Sequence, residues 1–246
     1  MKWVSFSCFL LIQEGEISVE KSYKKVIDYV KKEILEGTLR PGNQLPPERE
    51  LAEVLGASRN SVREGLRTLE NMGVIKSFHG SGNYIAGNFD ETLTEVMEFM
   101  YMLKDLDIER ITEFRFALEW QAMNLGVHKA TQQQKDKMAE LYKKLIEADS
   151  EKVRVKYDKA IHYLLIESSM NQYMISNYKA LNNIMDRYIP EMRVKIIEGM
   201  KSDRKLVDAH RKMVEGFVEG NYLKGRQGLN LHFGYIKEYQ DVKNEN

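Results

Sequence analysis

Three histidines and one aspartate lie on apolar stripes of predicted helices in the second half of the chain. They are Asp158, His162, His210 and His232. Asp158 and His162 are four residues apart, so they share one helix face that is expected to point inward. Burying an ionisable group without a partner is costly. The pattern favours a shared divalent metal, and Zn, Ni, Fe or Mn suits these ligands, with zinc as the preferred candidate. The alternative is that each histidine is a core residue with its own hydrogen bond.

Basic and amide side chains lie on one side of a predicted helix near residue 60. Val62, Leu66 and Leu69 recur at helical spacing and are expected to face inward. The outward side then carries four polar residues, Arg59, Asn60, Arg63 and Arg67. In the major groove arginine can read guanine and asparagine can read adenine, and either can bind phosphate. The pattern favours a DNA-reading helix; an ordinary solvated helix face is the alternative.

A preceding short helix is expected to hold this surface in place. Pro46 and Pro47 favour a helix start and Gly56 favours its end, with Leu51, Val54 and Leu55 as the buried stripe. Ser58 can cap the next helix only two residues later. Such a short connection predicts a helix-turn-helix.

A hairpin is predicted immediately afterwards, over residues 74–85. Gly80 and Gly82 allow a tight turn between two short strands, and His79 lies at its tip. A hairpin in this place can act as a wing that reaches the neighbouring minor groove.

Several sequence blocks, in order, resemble the winged-helix signature of GntR-family transcriptional regulators. They are Gly37-Thr-Leu-Arg-Pro-Gly42, Leu45-Pro-Pro-Glu-Arg-Glu-Leu-Ala52, Ser58-Arg-Asn-Ser-Val-Arg-Glu64 and Gly80-Ser-Gly82. The resemblance covers about residues 20 to 87, and one departure is Gly65, where the family usually has alanine. It implies DNA contacts from Arg49, Ser58, Arg59, Asn60, Ser61, Arg63, His79 and Gly80.

The remainder of the chain is helical in pattern, with no strand-like alternation. Breaks near residues 105–107, 130–131, 149–150, 170–171, 199–202 and 220–221 predict six or seven helices in an antiparallel bundle. We therefore expect a mainly α protein. Residues 1–18 would form a disordered extension, 19–87 a winged helix-turn-helix domain of α+β type, and 88–246 the all-α bundle.

This helical half resembles the FCD-type ligand-binding domain of the FadR branch of GntR regulators. The resemblance rests on Glu113-Phe-Arg-Phe-Ala-Leu-Glu119 and on the spacing of Asp158, His162, His210 and His232. It implies a metal that helps to hold a small organic acid effector. Arg115 matches a recurring arginine and is implied to pair with the effector's carboxylate. A structural salt bridge between Arg115 and a glutamate is the alternative.

Composition adds few constraints. The 37 basic residues balance the 37 acidic ones, so DNA binding must rely on a local basic patch. Cys8 is the only cysteine, which excludes an internal disulfide. The apolar run from Trp3 to Ile12 lacks a signal-peptide cleavage site and is too short to span a membrane. We expect a cytoplasmic protein with no membrane partner; a weak membrane or partner contact by this run is the alternative.

Together these features predict a DNA-binding transcriptional regulator that responds to a ligand, with repression as the expected output. A single winged helix reads few base pairs, so we expect a homodimer on a palindromic operator. Two alternatives stay open. One is a metal-dependent enzyme in which three histidines and an aspartate activate water. The other is a constitutive DNA-binding protein whose metal is purely structural.

Overall fold

The computed structural model describes residues 22–103 and 108–240. The expected extension 1–18 and the expected helix break at 105–107 lie outside these residues. The chain divides into two compact units, one ending at Gly87 and the other beginning at Asn88. The mainly α fold class is confirmed.

The first unit is a winged helix-turn-helix. Its elements are α1 (Lys24–Glu36), α2 (Glu48–Leu55), α3 (Arg59–Asn71), β1 (Ile75–Phe78) and β2 (Gly82–Ile85). The strands pair antiparallel, with Ile75 opposite Ile85 and Phe78 opposite Gly82. The wing therefore turns through residues 79–81.

The turn between α2 and α3 follows from local chemistry. Gly56 ends α2 with a φ of +56°, a left-handed conformation that glycine adopts without strain. The Oγ of Ser58 accepts a hydrogen bond from the backbone N–H of Ser61 at 3.1 Å and so caps α3. These two features hold the helices in the predicted arrangement.

The core of this unit is small and aliphatic. Its most buried members include Val26, Val30, Leu51, Val62, Leu69 and Ile75. The prediction that Val54 is buried was wrong, because its side chain is 66% exposed. α2 has only eight residues and Leu51 is its one fully buried residue, so Val54, about 60° from Leu51 around the helix, lies at the edge of this narrow packed face and is exposed to solvent.

Gly65 marks a close contact between α1 and α3. A Cβ atom at this position would lie 2.7 Å from the Cβ of Val26 and 2.8 Å from the backbone oxygen of Tyr23. The glycine thus has a packing reason that offsets its low helix propensity.

The second unit contains seven helices in its described part, the upper end of the predicted range. They are α4 (Asp90–Leu103), α5 (Ile108–Lys129), α6 (Gln132–Glu147), α7 (Glu151–Ser168), α8 (Gln172–Met200), α9 (Arg204–Glu219) and α10 (Tyr222–Gln240). The main core contains residues from α5 to α10, including Met123, Met138, Leu165, Ile196, Phe217 and Leu229.

α8 contacts both the start of this unit and its interior. The carboxylate of Asp90, the first residue of α4, accepts hydrogen bonds from Ser176 Oγ at 2.5 Å and Lys179 Nζ at 2.7 Å. Pro190 lies inside α8, between these contacts and Arg193.

None of the helices in the described ranges combines the length and the hydrophobicity that a membrane span requires.

Candidate metal centre and DNA-binding surface

The structure brings Asp158, His162, His210 and His232 into one buried cluster. α7 supplies the aspartate and the first histidine, α9 supplies His210 and α10 supplies His232. One ligand atom from each lies within 4.8 Å of the others. Each of these residues is at most 4% exposed. Residues up to 74 positions apart in the sequence therefore converge on a single point.

Hydrogen bonds fix how two of the imidazole rings face this point. His210 donates from Nδ1 to the backbone oxygen of Leu206 at 2.9 Å. His162 contacts the carboxylate of Glu119 through Nδ1. The Nε2 atoms of both rings then carry lone pairs that face the cluster. These two Nε2 atoms and Nδ1 of His232 are buried, and none has a hydrogen-bond partner within the described ranges.

The carboxylate of Asp158 lies between the cluster and an arginine of α8. Its Oδ1 is 3.4 Å from Nε2 of His162, and its Oδ2 is 3.3 Å from Nε2 of His210. Arg193 donates from Nη1 to Oδ2 at 2.5 Å and from Nε to Glu151 at 2.5 Å. α8 is therefore tied directly to the aspartate of the cluster.

Arg115 is buried beside the cluster in a second network. Its Nε donates to Oε1 of Glu119 at 2.7 Å, and the hydroxyl of Tyr178 donates to the same oxygen at 2.9 Å. Its guanidinium carbon lies 5.2 Å from the ring centre of Phe233. The salt bridge that the sequence left as an alternative is thus formed. However, Nη2 of Arg115 is buried without a hydrogen-bond partner among the described residues.

Burial and neighbouring charges shift the pKa values of three members of the cluster, Asp158, His162 and His232. Burial lowers the pKa of His162, although the Glu119 carboxylate opposes this shift. Burial, followed by the proximity of His162 and His210, holds the pKa of His232 well below its usual range. Burial would raise the pKa of Asp158, but His210 and Arg193 outweigh it and leave that pKa well below normal. A neutral imidazole and an ionised carboxylate are the forms that bind a metal cation.

These donors fit a divalent transition metal. Three imidazoles and one carboxylate are suitable ligands, and the buried nitrogens would otherwise remain unsatisfied. Their inward lone pairs are oriented by hydrogen bonds at the opposite nitrogens of two rings, as is usual around bound metals.

A small cavity of about 20 Å³ adjoins the cluster. Its polar lining comes from Arg115, Asp158, Tyr188, Arg193 and His232, and apolar residues of α8, α9 and α10 complete it. This volume holds about one water molecule.

A larger cleft of about 310 Å³ lies on the surface between α5 and α10. It contains none of the four cluster residues, although Phe233 lines it and also packs against His232. We assign the chemistry to the smaller cavity, because Arg115, Asp158 and His232 line it and none of them lines the larger cleft.

The residues implied to contact DNA lie on the surface of the winged-helix unit. Arg59 and Asn60 are exposed at the start of α3, and Ser58 precedes them as its cap. Arg49 is exposed on α2, where its Nε is 3.9 Å from Glu53. Arg63 is also exposed, but it donates from Nε to Glu48 at 2.7 Å. These four long side chains therefore face solvent, and two of them, Arg49 and Arg63, are in ion pairs.

The remaining predicted DNA contacts are Ser61 and the wing. Ser61 is half-buried, and its Oγ lies 2.9 Å from that of Ser58. His79 and Gly80 are exposed at the tip of the hairpin, where Gly80 has a φ of +75°.

Family models match both units. The model for bacterial regulatory proteins of the gntR family matches residues 22–85, and the FCD domain model matches residues 110–234. The second match alone spans more than half of the chain. The chain is a GntR-family transcriptional regulator with an FCD domain.

Individual relatives agree with this assignment. The chain is 24% identical over 208 residues to the HTH-type transcriptional regulator LutR of Bacillus subtilis strain 168, a match covering 83% of this chain and 94% of that protein. It is 25% identical over 217 residues to the putative L-lactate dehydrogenase operon regulatory protein of Escherichia coli K12, covering 86% and 83%. These relatives and both families are transcriptional regulators rather than enzymes.

A solved structure has the same fold. The Streptococcus agalactiae GntR structure superposes with a TM-score of 0.60 at 22% identity, covering 88% of this chain and 99% of that one. The fold expected for a GntR-family regulator is therefore present.

Two residues of this regulator's buried site were absent from the sequence predictions. Arg193 lies on an apolar stripe with Ile189, Met192 and Ile196, and a charged residue on such a stripe is itself a signal. Glu119 stands four residues after Arg115, a spacing that is equally typical of an exposed ion pair. Its contact with His162, 43 residues away, required the tertiary structure.

Proposed function

We propose that this GntR-family regulator binds a divalent transition metal and a small carboxylate effector in its FCD domain, and that the effector changes its affinity for an operator. The observation that carries the proposal is the set of buried, unpartnered imidazole nitrogens around Asp158. Residues Asp158, His162, His210 and His232 would hold the metal. Bound there, the metal would supply positive charge and coordination positions for an anion.

Charge balance favours an anionic effector. Without a metal, the buried carboxylates of Glu119 and Asp158 balance the guanidinium groups of Arg115 and Arg193, with half-buried Glu151 adding one negative charge. A divalent cation would leave the site with excess positive charge in a low-dielectric interior. A carboxylate would reduce this excess, and Nη2 of Arg115 offers it an unoccupied donor.

The size of the cavity supports an effector that changes the structure when it binds. Room for about one water molecule does not admit an organic acid, so side chains of α8, α9 and α10 must move. Arg193 links Asp158 to α8, and the other end of α8 binds Asp90, which follows the chain segment between the units. α8 therefore offers a physical connection from the cavity to the start of the FCD domain.

The metal's coordination number decides how it would act. Four protein ligands saturate a tetrahedral zinc ion, which would make the metal structural unless the ion expands its coordination. A six-coordinate ion would retain two positions for a carboxylate. Zinc remains the sequence-based prediction, and a direct response to effector favours an ion that accepts more than four ligands.

α-Hydroxy acids are suitable effectors to test first. One relative is named as a putative regulatory protein of an L-lactate dehydrogenase operon. L-lactate combines a carboxylate with an adjacent hydroxyl, so it can present two oxygens to one ion.

DNA recognition would use the exposed start of α3 in the major groove and the wing in the minor groove. Arg59 and Asn60 are the base-reading candidates, while Arg49, Ser58, Ser61, Arg63, His79 and Gly80 would position the unit on phosphates or in the minor groove. A homodimer on a palindromic operator in the cytoplasm, with repression as output, completes the proposal.

Metal removal and reloading provide the main test. Purified full-length protein would be stripped with a chelator, reloaded separately with Zn²⁺, Ni²⁺, Fe²⁺ or Mn²⁺, and analysed for bound metal. Operator affinity would then be titrated with and without L-lactate. We expect one ion per chain, a higher melting temperature in the loaded form, and an effector response only in that form.

Two variants locate the response. His210→Ala should lose the metal and the effector response but retain DNA binding. Gly234→Leu is the matched control, because Gly234 lines the larger cleft and a Cβ there meets no atom within 4 Å. It should fill that cleft and leave the response intact. A metal-free wild type that responds fully to effector would exclude the metal-centred mechanism. Loss of the response in Gly234→Leu would indicate that the effector binds in the larger cleft instead.

A further inference from the structure

Glu119 contacts residues from both parts of the proposed site. Its Oε2 accepts a hydrogen bond from Nδ1 of His162, and its Oε1 accepts from Nε of Arg115 at 2.7 Å and from the hydroxyl of Tyr178 at 2.9 Å. Its exposure is 0%. A buried carboxylate with three donors around it is fixed in both position and orientation.

The contact with His162 determines which nitrogen can bind a cation. A neutral imidazole carries one hydrogen, and a carboxylate at Nδ1 requires that hydrogen to be there. The lone pair then lies on Nε2, which faces Asp158 at 3.4 Å and has no hydrogen-bond partner in the described parts of the chain.

The contact with Arg115 determines which edge of the guanidinium is available. Glu119 occupies Nε, whereas Nη2 remains buried without a partner among the residues described. Arg115 lines the small cavity together with Asp158 and His232. The same carboxylate thus occupies Nε and leaves the terminal nitrogen Nη2 for an anion that enters this cavity.

We propose that Glu119 is a positioning residue for both ligands of the domain: it sets the metal-binding nitrogen of His162 and the anion-binding end of Arg115. Metal affinity and carboxylate affinity then depend on one side chain that touches neither ligand. This inference rests on the proposed function, because it assigns a role within the same metal and effector site.

Replacing Glu119 by glutamine tests the idea with little change in shape. A carboxylate accepts hydrogen bonds on both oxygens, whereas an amide has one oxygen and one NH₂ group. Either orientation of the amide therefore places a donor against the N–H of His162 or against that of Arg115. Glu119→Gln should weaken metal binding by roughly 10- to 100-fold, the usual effect of losing such a supporting contact. It should also weaken L-lactate binding by about tenfold or more.

Tyr178→Phe is the matched control. It removes one donor from Oε1 and the 3.3 Å contact between Arg115 Nε and the tyrosine hydroxyl, and it leaves both contacts of the Glu119 carboxylate, with His162 and with Arg115, in place. Metal affinity in full-length wild type, Glu119→Gln and Tyr178→Phe would be measured by competition with a fluorescent chelator, and folding by circular dichroism. We expect the phenylalanine variant to match wild type and the glutamine variant to bind weakly while remaining folded.

The tautomer of His162 gives a readout that needs no metal. In ¹⁵N spectra of metal-free wild type, His162 should carry its proton on Nδ1, and Glu119→Gln should shift the population towards Nε2. A wild-type His162 protonated on Nε2 would overturn the inference even if the variants fail to fold. So would a folded Glu119→Gln with wild-type metal affinity and tautomer. Absence of metal binding by wild type, with the Nδ1 tautomer present, would instead reject the metal part of the proposed function.

Discussion

The candidate binding residues of the two units differ in the exposure and pairing of their charged side chains. In the winged-helix unit Arg59 and Asn60 are exposed, and Arg59 has no ion-pair partner within the described ranges. In the FCD domain Arg115 and Arg193 are buried, and each is held by a carboxylate. Exposed cations such as Arg59 stay hydrated until DNA binds. The buried arginines of the FCD domain are desolvated and paired as soon as the chain folds.

Because of this difference, we expect substitutions in the two units to have different effects on ligand affinity and on the free energy of unfolding. Charges on the winged-helix surface remain hydrated, so removing one should change DNA affinity and hardly affect stability. The buried charges around the proposed metal site lost their hydration on folding and depend on one another. Removing one of those should therefore affect stability and ligand binding together.

The largest effect is expected for Asp158→Ala. The substitution removes a proposed metal ligand and leaves Arg193 with only the half-buried Glu151 as partner. Breaking a buried pair in this way costs about 3–5 kcal/mol. Urea unfolding of metal-free protein would measure the loss. Asp208→Ala is the control, because the Asp208 side chain is 41% exposed and pairs with Arg211 and Lys212 near the surface. Equal stability losses in both variants would contradict the contrast between buried and solvent-accessible charge.

The matching change in the winged-helix unit is Arg59→Ala. We expect it to cost about 1–3 kcal/mol of operator affinity and to relax specificity at one base position, with no measurable change in melting temperature. Titrations on operator and scrambled duplexes would separate it from Arg49→Ala, which should weaken both duplexes alike. Unchanged operator affinity would remove Arg59 from the recognition role.

Gly65→Ala tests packing within the winged-helix unit. Alanine raises helix propensity by about 0.5–1 kcal/mol, but its Cβ would be 2.7 Å from that of Val26. Overpacking typically costs about 1–3 kcal/mol, so a net destabilisation of about 1 kcal/mol is expected. Thermal unfolding would measure it, with Gly234→Ala, a helical glycine facing open space, as the stabilised comparison. Equal stabilisation by both substitutions would show that α1 and α3 have room for a methyl group.

The smallest effect is expected for Glu48→Gln. It removes the carboxylate bound to Arg63, whose side chain is 66% exposed. Exposed pairs contribute about 0–1 kcal/mol, so DNA affinity should rise by less than about 1 kcal/mol, most clearly at low salt. Titrations at two salt concentrations would measure it. A fall in DNA affinity would instead indicate that Glu48 holds Arg63 in the orientation that DNA requires.

Local signals explain why the winged helix could be predicted. Gly56 and Ser58 act through backbone conformation and a cap within a few residues, so the sequence contains the whole interaction. Burial of individual side chains was less predictable, because it depends on which helix faces pack against other elements in three dimensions. Val54, for example, was assigned to the buried stripe of α2, but it is 66% exposed.

The inward direction of the cluster could be inferred from helical periodicity, but its partners could not. Arg193 and Asp158 are 35 residues apart on different helices, and no local pattern pairs them. The number of charges buried around the cluster therefore became apparent only in three dimensions.

Pro190 gives α8 a mechanical property that its 29 residues alone would not have. Without an amide hydrogen, it leaves the carbonyl of Asp186 without its usual backbone donor, so the helix bends most easily there. Pro190 thus divides α8 into two segments. The first contains Ser176 and Lys179, and the second contains Arg193. We therefore expect a displacement of Arg193 to be transmitted towards Asp90 mainly as a bend of α8 at Pro190.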